Sequence, residues 1–158
     1  MKASVTRKLV AGATALFVTL QYAGPAIAAV ACFQSADMEA DQAIRYENEL
    51  MVLSDTCGDD TYRDFTLRNR VAIIGYQKQM MNYFRRTGAR RPQAALDSFL
   101  TQIANEEALR AARQPAQTVC NRAVTFLTEA KALGEREFRS RVAALATENE
   151  AHYRKCRR

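Results

Sequence analysis

Four cysteines, a single histidine, several adjacent carboxylates and two clusters of basic residues are the parts of this chain whose chemistry packing alone does not use up. Cys32, Cys57, Cys120 and Cys156 are separated by 25, 63 and 36 residues. None of these spacings is the Cys-x-x-Cys pair on which structural zinc sites and thiol oxidoreductases depend, so two disulfides are the expected use of the four thiols. His152 forms an i, i+4 pair with Glu148 on one helical face, a geometry that can hold a metal. Two ligands are too few for a dedicated site, and a solvated pair is the plainer reading. The Glu-x-x-His repeats of di-iron bundles and the Cys-x-x-Cys-His of covalent haem are both absent from the sequence.

Paired carboxylates occur at Glu106-Glu107 and, more densely, at Asp55, Asp59, Asp60 and Asp64 around Cys57. Such pairs can divide acid and base roles, but helix capping and solvation are the plainer reading. Met51, Met80, Met81 and Tyr76 could line a copper or haem pocket; at helical spacing among Ile, Leu and Phe they read as core. A serine nucleophile would lack a general base, since the one histidine is near the end and there is no Gly-x-Ser-x-Gly turn. No catalytic or cofactor signature emerges, and no cofactor or metal is expected.

The most suggestive chemistry is charge polarity. Arg85, Arg86, Arg90 and Arg91 fall in one turn, and Arg154, Lys155, Arg157 and Arg158 close the chain. If the helices alternate in direction, both clusters lie at one end and the aspartates at the other. Such a basic pole suits phosphate-rich lipid headgroups, an anionic envelope polymer or an acidic protein face. Its plainer reading is that exposed loops and tails carry charge.

The elements that must position these groups follow from punctuation and periodicity. Residues 1–31 read as a secretory signal peptide: Lys2, Arg7 and Lys8 precede the uncharged run Leu9 to Leu20, then Gly24-Pro25 and the small-residue pattern Ala26-Ile27-Ala28. Cleavage after Ala28 or after Ala31 fits equally. Acylation of Cys32 as a lipoprotein anchor is a weaker alternative, because Ala29 stands where leucine is usual. The apolar core of the leader is shorter than the ~20 residues that span a bilayer, and no other segment is apolar enough to cross one. Lys2, Arg7 and Lys8 belong to the leader, so the formal charge falls from +6 to +3, with 20 basic against 17 acidic residues. The high isoelectric point therefore does not point to nucleic acid. An exported chain of this kind is expected in the periplasm or outside the cell.

Residues 32–158 suit one domain. Ser35 can cap a first helix ending at Cys57-Gly58, with Ala36, Ala40, Ala43, Ile44, Leu50, Met51 and Leu53 inward. A second helix, Tyr62 to Arg86, carries Phe65, Asn69, Ala72, Ile73, Tyr76, Met80, Tyr83 and Phe84 on one face. Leu67, Val71, Ile74 and Met81 lie on another, and a helix with two apolar faces is expected at the centre with neighbours on both sides. Gly88 ends it. A third helix starts at Pro92, with Leu96, Phe99, Leu100, Ile103 and Ala104 inward, and stops near Gln114 before Pro115. The fourth runs on with Cys120, Val124, Leu127, Gly134, Phe138, Val142, Leu145 and Asn149 inward, as one long helix bent at Gly134; two helices broken there are the alternative.

These elements predict an all-α, up-down four-helix bundle with a long central second helix, stapled by disulfides. In that arrangement the end of helix one meets the start of helix four, pairing Cys57 with Cys120 and leaving Cys32 for Cys156. A Cys32 to Cys57 bridge would have to close the roughly 30 Å length of the first helix to ~6 Å.

Leu50-Met51-Val52 before Cys57-Gly58, the stretch Phe99-Leu100-Thr101-Gln102-Ile103-Ala104-Asn105 and Cys120 opening the next helix resemble a group of short, functionally uncharacterised exported α-helical proteins of Gram-negative bacteria. The resemblance spans about residues 46 to 127. It implies a helical fold and an exported location and supplies no site residues. The expected function is non-enzymatic binding in the envelope or outside the cell, through the basic pole. Two alternatives remain: a small enzyme or metal-site protein using the acidic pole, and a chaperone-like envelope protein that presents apolar grooves.

Overall fold

The computed structural model describes residues 31–156, nearly all of which fall in helices. The expected leader therefore lies, but for Ala31, outside the described residues. Five helices follow one another: α1 (Ser35–Cys57), α2 (Thr61–Arg86), α3 (Pro92–Ala112), α4 (Ala116–Ala132) and α5 (Glu135–Glu148), with a single 3-10 turn at Glu150–His152. The only extended pairing among the described residues is an isolated parallel bridge between Phe33 and Lys155.

Each helix end has a local cause. α1 opens on Gln34 rather than on the expected Ser35. Gln34 and Asp37 form a reciprocal capping box in which the Gln34 amide donates to Asp37 Oδ2 at 2.7 Å. It closes at Gly58, whose φ of 63° takes the left-handed conformation glycine adopts without cost. α2 starts where Asp59 Oδ1 accepts the Thr61 amide at 2.7 Å and the Thr61 hydroxyl as well. Its exit turn contains Gly88 at φ 94°. Pro92 occupies the first turn of α3, where its missing N–H leaves no carbonyl unserved.

The expected fourth helix is two. Leu133 and Gly134 are extended, with ψ of 115° and −179°. The reason lies on α2. Arg68 Nη2 donates to the carbonyl of Lys131 at 2.9 Å, and Asn69 Nδ2 donates to that of Leu133 at 3.2 Å. Carbonyls that a continuing helix would have bonded to its next turn are taken by side chains, so the chain turns and α5 restarts with Phe138 N donating to Gly134 O at 2.8 Å. α4 begins beside Cys57, through Cys120, and ends beside Asp59, through Lys131. It thus crosses the α1–α2 pair instead of running along it. α5 then descends α1, from Phe138 near Tyr46 to Asn149 near Gln42.

The helix at the centre is α1, not the expected α2. α1 packs against all four other helices, whereas α3 packs on α1 and α2, only lightly on α4, and stands apart from α5. The predicted core face of α2 is buried at Phe65, Asn69, Ala72, Ile73, Tyr76, Met80 and Tyr83. Its second apolar face is covered only at Met81, which packs against the core: Leu67 and Val71 are 70% and 68% exposed, and Ile74 is exposed as well. On α1, Ala36 is exposed, while Ala40, Ala43, Ile44 and Leu50 are enclosed as expected. Around them an aromatic cluster ties four helices together. Phe65 meets Phe138 edge-on at 4.9 Å between ring centroids, and Tyr46 touches Phe126 at 4.8 Å. Burying each of these side chains contributes roughly 1.5–3 kcal/mol.

Two disulfides close the domain, Cys57 with Cys120 and Cys32 with Cys156, with Cα separations of 5.5 and 4.9 Å. The Cys32 sulfur, bonded in this way, is not available for acylation. No helix among the described residues is long and apolar enough to cross a membrane.

Candidate functional site

The basic end is assembled by a clasp between the two chain segments that flank the helices. Phe33 N donates to Arg154 O at 2.8 Å, and Cys156 N donates back to Phe33 O at 3.1 Å. The Phe33 ring stacks on Tyr83 at 4.4 Å and leans on Tyr153 at 5.0 Å. Tyr83 is on the last turn of α2, so Arg154 and Lys155 are drawn toward Arg85 and Arg86. The charges there are not all free. Arg86 reaches Asp37, a carboxylate with no exposed surface that also accepts from Gln79 Nε2 at 2.8 Å. Lys155 pairs with Glu150, and Arg85 donates to Asn82 at 2.7 Å. Arg85, Arg90, Arg91 and Arg154 are exposed and have no carboxylate partner among the described residues. Arg157 and Arg158 lie outside those residues.

At the opposite end Asp59, Asp60 and Asp64 are occupied by structure, while Asp55 is exposed. Thr61, bonding through its hydroxyl, and then Lys131 at 2.9 Å hold Asp59 down at about 2. Arg63 bridges Asp60 and Asp64, at 3.3 Å from each. Met80 is core, and no three His, Cys, Asp or Glu side chains among the described residues are grouped to hold a metal. Glu148 closes α5, and the 3-10 turn that follows takes His152 out of the helical register that would have paired them.

The site that periodicity missed is a cleft on the side of α1 that α3 and α5 leave open. Its larger lobe, of about 670 Å³, has α1 as floor, with Glu107 and Arg110 of α3 on one wall and Arg141 of α5 on the other. Tyr153 and His152 close its far end. A smaller lobe of about 190 Å³ continues past Glu49 and Phe126 between Val52, Leu53, Val119 and Ala123. Most charges in it are matched. Asp41 accepts from Arg45 Nε at 3.0 Å and from the Tyr153 hydroxyl, and Arg45 also stands 3.6 Å from Glu106. Arg110 is 3.0 Å from the buried Glu107. Arg141 Nε is 3.0 Å from Glu129 yet misaligned for a hydrogen bond, so that contact is one of charge.

Within the cleft, the Glu49 carboxylate and the Tyr46 hydroxyl have no partner among the described residues. Glu49 makes no ion pair or hydrogen bond; burial first, then the neighbouring Glu107, pushes its carboxyl up, against the pull of Arg110. Burial likewise pushes Glu107 up. The Tyr46 hydroxyl, on a residue 3% exposed, has no partner either. Burial pushes its pKa up, with Glu129, Arg141 and Glu49 as the charges that act on it. Of the groups in this cleft, the sequence singled out only Glu106, Glu107 and His152. Tyr46 and Glu49 are one helical turn apart, and that i, i+3 spacing was the available signal.

A scan against protein-family models gave no match to this chain, and searches of curated proteins and of solved structures gave none either. Fold and sites therefore describe it by class alone: across the described residues, an all-helical, disulfide-bonded protein of five helices with a cluster of basic residues at one end and a polar cleft.

Proposed function

We propose that the protein is an exported, non-enzymatic binding protein that works in the periplasm or outside the cell, and that its basic end contacts an anionic envelope component or an acidic protein face. One observation carries this reading: the Phe33 clasp draws the Arg154-Lys155 segment to the end of α2 that bears Arg85 and Arg86. The two disulfides support an oxidising compartment, as does the resemblance to exported proteins over residues 46 to 127. The uncovered stripe of Leu67, Val71 and Ile74 favours a second reading, an envelope protein that shelters apolar segments of others.

Each basic group near an anionic surface contributes about 1 kcal/mol, over a Debye length of ~8 Å at physiological salt. Binding is thus expected to be weak and steeply dependent on salt. Co-sedimentation with vesicles containing phosphatidylglycerol measures it. The wild type should pellet at low salt and be released at high salt, and a variant with Arg85, Arg90 and Arg91 changed to Gln should remain in the supernatant. A variant that pellets as fully as the wild type, or a wild type that never pellets, removes the basic end from consideration.

A further inference from the structure

Along its open face α2 carries a seam of regular spacing whose charge reverses from one end to the other. Leu67, Val71, Ile74, Lys78 and Met81 follow one another at alternating steps of four and three, the repeat with which one helix packs along another. The first four are exposed, while Met81 leans into the core. Beside Ile74, a side chain at Gly75 would meet nothing within 4 Å, so a second backbone can approach closely there. The same steps continue to Asp64 and Asp60 toward the start of the helix and to Arg85 toward its end. Asp60 and Asp64 share one arginine, Arg63, at 3.3 Å from each, which leaves that half of the seam negative. In the other half Lys78 forms no ion pair among the described residues, and Arg85 donates only to Asn82.

We propose that this face docks a second copy of the chain, with the two α2 helices antiparallel about a two-fold axis between Val71 and Ile74. Such a contact makes each pairing twice, residue i of one copy meeting j of the other and j meeting i. Val71 of each copy then lies against Ile74 of the other. Leu67 lies against the aliphatic stem of Lys78, whose ammonium reaches Asp64, and Asp60 meets Arg85. Parallel pairing would instead set Asp64 on Asp64 and Lys78 on Lys78. Sliding the antiparallel pair by seven residues would bring Ile74 onto Asp64 or Leu67 onto Arg85. An anionic membrane is the poorer occupant, because it would repel the half that bears Asp60 and Asp64. The apolar part of the seam is only three exposed side chains, so association is weak, with a dissociation constant of roughly 0.1 mM. At the low micromolar concentrations at which unfolding is followed, the chain is a monomer.

Sedimentation equilibrium of the oxidised protein from about 5 μM to about 1 mM tests this. The average mass should climb from monomer toward dimer across that range. Val71→Gln should weaken association tenfold or more, as should Lys78→Glu or Asp64→Lys alone, with helical circular dichroism unchanged in all three. An equimolar mixture of the Lys78→Glu and Asp64→Lys variants should recover association, because a mixed pair has opposite charges at both contacts. Val71 is no part of the basic end, so Val71→Gln should pellet with vesicles as the wild type does, and either proposal can fail alone. A wild type that stays monomeric at about 1 mM, a Lys78→Glu variant that associates as the wild type does, or a mixture that stays dissociated would each overturn the proposal. So would a monomer whose stripe instead binds an amphipathic leucine-rich peptide.

Discussion

α1 and α2 exchange the roles their sequences suggest. α2 is apolar on two faces and leaves most of one, at Leu67, Val71 and Ile74, open to solvent. α1 is rich in Asp, Glu, Gln and Asn and is the helix the others enclose. Its buried polar groups are nearly all answered. Asp37 is met by Arg86 and Gln79, Gln42 by Tyr153 and Asn149, Asn48 by the Ile44 carbonyl at 2.8 Å, and Ser54 by the Tyr62 amide at 3.1 Å. Hydrophobic periodicity measures what a helix would gain from burial. It does not measure how many neighbours arrive, and a polar helix most of whose buried side chains find partners can be surrounded.

The strongest way to break this contrast is truncation at Leu50, which is fully enclosed on α1. Leu50→Ala should destabilise the fold by about 2–5 kcal/mol in urea unfolding. A loss below about 1 kcal/mol would mean that α1 is not the hub. A sharper probe is Glu47, on the same helix, in a crevice with Asn48, Tyr62, Gln77 and Leu100. It makes no ion pair among the described residues, and burial pushes its carboxyl up to about 7. A carboxyl whose folded value is raised keeps its proton in the fold, so it favours the native state at low pH. That advantage is lost as pH rises from the ordinary carboxylate range through about 7. Glu47→Gln should therefore match the wild type near pH 4 and exceed it by about 2–3 kcal/mol near pH 8. A constant difference across that range would contradict the burial of this carboxyl. The smallest effect belongs to the open face of α2. Leu67→Gln should shift stability by no more than about 0.5 kcal/mol, and a larger loss in the same unfolding experiment would show that the stripe is covered in solution.

Much of the fold was legible because its punctuation is local. Gly58, Gly88, Pro92 and Pro115 mark helix ends by their own backbone preferences, and the core face of α2 repeats at helical spacing. The break after Ala132 was not legible in the same way. Gly134 permitted it, but Arg68 and Asn69, more than sixty residues earlier in the chain, bring it about. The cleft was hidden for a similar reason. Tyr46, Glu49 and Arg141 look like ordinary surface or core residues until α3 and α5 are seen to part around α1. Of the basic end, the two sequence clusters were plain, while the neutralisation of Arg86 by Asp37 depends on a capping box that only folding assembles.

The Cys32–Cys156 bridge, with the Phe33 clasp beside it, has a mechanical consequence. Its two Cα atoms are 4.9 Å apart although 124 residues separate them along the chain. Tension applied between any attachment before Cys32 and any contact made after Cys156 passes through one covalent link and never reaches the helices. The two basic clusters differ in this respect. Pulling on the tail loads the bridge, whereas pulling on the Arg85–Arg91 turn loads α2 and α3 directly. A domain tethered at its ends would thus stay folded under a load that would peel it apart if it were gripped by that turn.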